Sequence, residues 1–181
     1  MRKVLIIVFI VFFALQSGAQ FSKARLQATG LTCAMCSNAI NKALGKISFV
    51  ESVRSDIKNS AFDITFKKDA DINIDVLKDA VEDAGFFVGS LLVTGSFKEM
   101  NITTDKYVRI GNYNFHFLNV EAKVLNGEVS LKLLDKSFLT AKEFKKINAA
   151  VKAPCLQTGK ADAAHVTDVV KEGDRVYHVT I

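Results

Sequence analysis

Across residues 24–93 the apolar side chains change period repeatedly, from every second residue to every third or fourth and back. Few folds accept that order of changes. Ala24, Leu26 and Ala28 alternate with Arg25, Gln27 and Thr29, which predicts a half-buried strand that ends at Gly30. Over residues 36–46 the positions Ile40, Ala43, Leu44 and the following Ile47 hold helical spacing. Residues 53–57 and 61–67 read as strands joined tightly through Lys58-Asn59-Ser60. A second helix over 74–84 buries Leu77, Ala80, Val81 and Ala84 and stops at Gly85, and residues 87–93 add a last strand. The order βαββαβ predicts an α+β sandwich of the split-βαβ kind, with two helices on one antiparallel sheet.

Thr94-Gly95-Ser96 is the predicted boundary, dividing the chain into residues 22–94 and a β-rich second domain over 97–181. In the second domain, residues 113–124 and 128–134 flank Asn126-Gly127, a strong hairpin signal. Thr140 and Glu143 have capping-box spacing and open a helix to about residue 150, with Phe144, Ile147 and Val151 on its apolar edge. Residues 165–170 and 175–181 read as a hairpin around Glu172-Gly173. Strands with one helix fit a small barrel of the oligonucleotide/oligosaccharide-binding type, or another compact α+β arrangement.

Residues 1–19 have the pattern of a cleavable signal peptide. Arg2 and Lys3 precede an apolar run over 4–15, and Ser17-Gly18-Ala19 offers small residues for a cut before Gln20. The run is short for a bilayer span, which needs roughly 20 residues. A periplasmic or secreted protein is therefore expected. Without those residues the chain keeps 22 basic and 19 acidic side chains, a charge too mild to imply nucleic acid. Absence of Trp, a single Pro and 14 Phe point to packed cores and away from a disordered linker protein.

Three cysteines remain, Cys33, Cys36 and Cys155, and an odd number cannot pair completely. Cys33 and Cys36 stand three residues apart where a loop runs into a helix, a spacing that lets both sulfurs face one side. The positive end of a helix favours thiolate there. Soft thiolates select ions such as Cu(I) over hard cations, and two ligands fall short of the four that closed zinc sites use. An oxidised pair, structural or redox-active, is the competing reading of the same two residues.

Here the sequence resembles a family. Gly30-Leu31-Thr32-Cys33-Ala34-Met35-Cys36 is similar to the Gly-Met-Thr-Cys-x-x-Cys motif of heavy-metal-associated domains, found in copper chaperones, copper-ATPase amino-terminal domains and periplasmic mercuric-ion binding proteins. Gly85-Phe86 matches the family's later Gly-Phe. The resemblance, over residues 22–94, implies a ferredoxin-like fold, Cys33 and Cys36 as metal ligands, and Leu31 and Phe86 shielding the ion. It implies Cu(I) as cargo, with Hg(II) and Zn(II) as alternatives. It also implies delivery to a membrane metal transporter or another metal-binding protein. Leu31 departs from the family's Met, and Ile47-Ser48-Phe49-Val50 lacks its glycine after the first helix.

Cys155 with His116, His165 and His178 has ligand chemistry, but the spacings match no compact motif, and a buried thiol or an intermolecular disulfide is the expectation. Met35 reads as an exposed loop residue and Lys142, Lys145 and Lys146 as a solvated helix face. The run from Asp69 to Asn73 lacks the glycine and distal glutamate of a calcium loop. No motif of a hydrolase or nucleotide-binding enzyme occurs, so no enzymatic activity is expected.

Overall fold

The computed structural model describes residues 20–31, 34–151, 153–163, 166–168 and 170–181. The predicted signal, Thr32, Cys33 and His165 lie outside the described residues. The predicted order appears as β1 (Gln20–Thr29), α1 (Ala34–Gly45), β2 (Val50–Asp56), β3 (Ala61–Phe66), α2 (Ile74–Asp83) and β4 (Phe87–Ile102). The strands pair antiparallel in the order β2-β3-β1-β4, which is the ferredoxin-like arrangement. Leu26, Phe62, Ile64 and Leu91 of the sheet share one core with Ile40 and Leu44 of α1 and Ile74, Leu77 and Val81 of α2. Each such side chain stabilises the fold by roughly 1.5–3 kcal/mol relative to exposure. A register shift in β1 between Phe21 and Lys23 lets Phe21 and Ala24, three residues apart, both face inward.

The turns follow their local chemistry. Asp56 accepts from Asn59 N and Ser60 adopts φ 51°, closing the short connection into β3. The turn after α1 closes without the family's glycine: Val50 N donates to Ile47 O at 3.0 Å, and Phe49 is buried edge-on against Phe66.

The boundary predicted at Thr94-Gly95-Ser96 falls inside β4, which continues unbroken to Ile102. Gly95 is a packing residue there. A Cβ would stand 3.0 Å from Phe21 Cδ1 and 3.1 Å from Gln20 O, so β1 lies too close for a side chain. Beyond β4 come β5 (Lys106–Ile110), β6 (Tyr113–Phe117), β7 (Lys123–Leu133) and β8 (Val176–Thr180). These extend the same sheet in the order β4-β7-β8-β6-β5, with β6 and β8 parallel. The barrel option for residues 97–181 is thus replaced by an open sheet of eight strands. The core is continuous too, since Phe21 meets Phe97 and Phe115 with ring centres 6.4 and 5.6 Å apart.

Helix α3 (Ala141–Ala150) starts as the capping box predicts. Thr140 Oγ1 accepts from Glu143 N at 3.3 Å and donates to Glu143 Oε2 at 2.7 Å. Phe144, Ile147 and Val151 pack on Leu118, Leu134, Leu139 and Leu156. A one-turn helix, α4 (Cys155–Thr158), follows.

Two hairpin expectations are overturned. Asn126-Gly127 lies within β7, with Gly127 paired to Phe97 of β4. The ladder shifts register between Phe97 and Met100, and the positive φ of Gly127 (78°) and Glu99 (48°) accommodates that bulge instead of a chain reversal. Residues 166–168 and 170 form no strand. Gly173 does turn the chain, but the partner of Arg175 is Lys160, and β8 then enters between β7 and β6. Among the described residues no helix is long and apolar enough to cross a membrane.

Candidate metal centres

The first candidate is the loop between β1 and α1. Gly30 takes φ 84° just after β1, a left-handed conformation that ends the strand. Leu31 is half-buried against the core, whereas Ala34 and Met35 face solvent; Met35 is 83% exposed as predicted, but it lies in the first turn of α1 and not in a loop. Cys36 is the third residue of α1 and is half-buried. Ser37 and Ile40 beside it are buried and anchor that turn. Cys33 lies outside the described residues.

The predicted neighbour of this loop is in place. Helix α2 ends in a paired cap: Gly85 N donates to Glu82 O at 2.8 Å and Phe86 N to Val81 O at 3.1 Å, with Gly85 at φ 86°. That cap turns Phe86 back towards β1, and its Cδ1 lies 3.9 Å from where a Cβ on Gly30 would stand. An apolar ring thus sits beside the two-cysteine loop.

The second grouping comes from the other half. His116 of β6 and His178 of β8 are register partners on parallel strands, with ring centres 5.3 Å apart. Cys155, at the start of α4, places its sulfur 3.5 Å from His116 Nδ1 and 3.2 Å from His178 Nε2. Both rings are at 0% exposure and Cys155 at 1%, which overturns an intermolecular disulfide at that cysteine. His165, weighed with these residues in the sequence, lies outside the described ones.

Asp135, just past β7, was not singled out by sequence. Its carboxylate accepts from His178 Nδ1 at 3.1 Å, from His178 N at 2.9 Å and from Arg175 Nη1 at 3.1 Å. Arg175 also reaches Asp75 in the first turn of α2 through Nε and Nη2, each at 3.2 Å. Tyr177 donates to the same carboxylate at 2.9 Å. Behind the other imidazole, His116 Nε2 lies 3.7 Å from Asp105 Oδ1. Burial pushes the His178 imidazolium down, but Asp135 and Cys155 outweigh it and raise its pKa to about 9. Burial raises the Tyr107 hydroxyl, whose ring stands edge-on to His116 at 4.7 Å.

Spacing could not reveal this cluster, because Cys155 is 39 residues from His116 and 23 from His178. One signal was available. Asn114-Phe115-His116-Phe117 and Val176-Tyr177-His178-Val179 each set a histidine inside an apolar strand, and all eight residues are buried.

A ferredoxin-like βαββαβ unit with a two-cysteine loop ahead of its first helix defines the class of module that the amino-terminal half forms. Residues 25–87 match the family model of the heavy-metal-associated domain, so the amino-terminal part of the chain carries a domain of that family. Solved structures similar to part of this chain include a CopZ metallochaperone, at 30% identity over 37% of this chain and 98% of that one, TM-score 0.35. The yeast copper transporter domain CCC2A, in apo and Cu(I)-loaded states, is 26% identical over 36% of this chain and 88% of that one, TM-score 0.33. A copper-binding domain from HMA7, a P-type ATPase, is 32% identical over 36% and 86%, TM-score 0.33. No curated protein matches the chain, and its carboxyl-terminal half has no recognised family.

Proposed function

We propose that this protein binds Cu(I) through the thiolates of Cys33 and Cys36, outside the cytoplasm, and passes it to a partner. The observation that carries the reading is the two-cysteine motif at residues 30–36, inside the stretch matching the heavy-metal-associated family, with Cys36 in the first turn of α1. The positive end of that helix favours thiolate and offsets the desolvation of a bound anion–cation pair. Two sulfurs suit Cu(I), which accepts low coordination. Phe86 and Leu31 limit water at the loop, while the exposed Ala34 and Met35 leave one side open to an incoming ligand. Transfer then proceeds by ligand exchange, a partner's thiolate or thioether replacing one sulfur at a time. The partner is a membrane metal transporter or a second metal-binding protein. The apolar run over residues 4–15 supports export.

The test is an anaerobic Cu(I) titration of reduced protein against a chromophoric Cu(I) chelator. Cys33→Ser/Cys36→Ser should lose one equivalent of tightly held copper relative to wild type. Equal stoichiometry and affinity in the two proteins would overturn the proposal.

A further inference from the structure

We propose that His116, Cys155 and His178 form a second metal site, buried in the carboxyl-terminal half and built for copper. Three donor atoms from three separate elements converge, all within 4.8 Å of one another. An ion with a sulfur bond of about 2.3 Å and nitrogen bonds of about 2.0 Å holds S and N roughly 3.7 Å apart at a trigonal angle. The observed separations of 3.5 and 3.2 Å lie within about half an ångström of that. Binding asks only for small side-chain movements.

The surroundings are those of a ligand set. Asp135 accepts from His178 Nδ1, which points Nε2 at the sulfur, where an incoming ion would displace its proton and take the lone pair. A carboxylate behind a ligating imidazole fixes the ring and raises its basicity. Asp135 is itself held by His178 N and by Arg175, and Arg175 by Asp75. The Asp105 carboxylate stands 3.7 Å from His116 Nε2, too far to hydrogen-bond, and the orienting contact is the one on His178. One thiolate with two imidazoles is a trigonal set that suits copper. Zinc in a closed site takes four donors, and among the described residues no further His, Cys, Asp or Glu joins the group.

A cysteine nucleophile with His178 as base and Asp135 as orienter would use part of the same geometry. That reading gives no role to His116, whose nitrogen is also directed at the sulfur, and it needs a substrate to reach an atom at 1% exposure. The burial suits an ion that is kept, in contrast to the exchangeable one on the loop. This site does not depend on the loop, and the experiment treats them separately.

The experiment loads four full-length proteins anaerobically with Cu(I): wild type, Cys33→Ser/Cys36→Ser, Cys155→Ser, and the triple variant. Two, one, one and no equivalents are expected after a short chelator wash. X-ray absorption of the copper-loaded Cys33→Ser/Cys36→Ser protein should give one sulfur and two nitrogen neighbours, and copper should raise its melting temperature. This last pair of readouts holds even where Cys155→Ser fails to fold. A Cys33→Ser/Cys36→Ser protein that binds no copper, that binds it without sulfur, or that takes zinc in preference overturns the proposal. So does rapid alkylation of Cys155 in that protein at an unchanged rate with copper present. Failure of the loop assignment would read differently, as a Cys155→Ser protein without copper beside a double variant that keeps one equivalent.

Discussion

Replacing Asp135 by Asn tests whether the buried carboxylate organises the carboxyl-terminal half. Three donors converge on its two oxygens: His178 N, His178 Nδ1 and Arg175 Nη1. Asparagine has the same shape but one acceptor oxygen, so whichever way the amide is turned its NH2 faces a donor. Asp135 exposes 4% of its side chain and His178 none, so one of the two bonds to His178 is lost and a His178 donor is left facing the amide NH2 without water to relieve it. A hydrogen bond to a charged group contributes about 1.5–3 kcal/mol. The Arg175 pair contributes less, because that side chain is 36% exposed and retains Asp75. A loss of about 3 kcal/mol follows for metal-free Asp135→Asn. With a urea slope of about 2 kcal/mol/M, the unfolding midpoint should fall by roughly 1.5 M at unchanged slope. The assay is urea denaturation at neutral pH, followed by far-ultraviolet circular dichroism. A fall below about 0.5 M would refute the reasoning, since it would mean that the carboxylate is only a weak partner of His178.

Two further outcomes follow from the amino-terminal half. Gly30→Ala forces a side chain to adopt φ 84° with Phe86 3.9 Å away, so the penalty is in the backbone, about 1–2 kcal/mol. Its melting temperature and its Cu(I) affinity in chelator competition should both fall, and an unchanged affinity would separate the loop's conformation from its chemistry. Asp63 bonds Arg25 and Arg54; burial pushes its pKa up, but the two guanidiniums win and hold it below the usual carboxylate range. A depressed folded value means that its stabilisation is present above the unfolded value of about 3.9 and is lost as pH falls through the folded one. Asp63→Asn should therefore be slightly less stable than wild type at pH 7, by under about 1 kcal/mol, with the gap closing towards pH 2 in acid denaturation.

How far the sequence reached depended on how local the cause was. The βαββαβ order, the cap at Gly85-Phe86, the capping box at Thr140 and the exposed Met35 were all legible, because each is set by side chains within a few residues. Asn126-Gly127 misled because a glycine at positive φ serves a bulge as well as a turn, and only the partner strand decides which. Thr94-Gly95-Ser96 reads as a linker, yet Gly95 is there because β1 passes close to it.

The proposed metal loop is legible along the chain, since both cysteines and the helix that follows lie within one short segment whose spacing carries the chemistry. The second cluster exists only through contacts between distant segments. Cys155 meets His116 and His178 because β8 inserts between β7 and β6, laying two histidines side by side under the start of α4. Parallel pairing between strands distant in sequence leaves no periodic trace along the chain, and strands buried on both faces conceal which side each histidine takes.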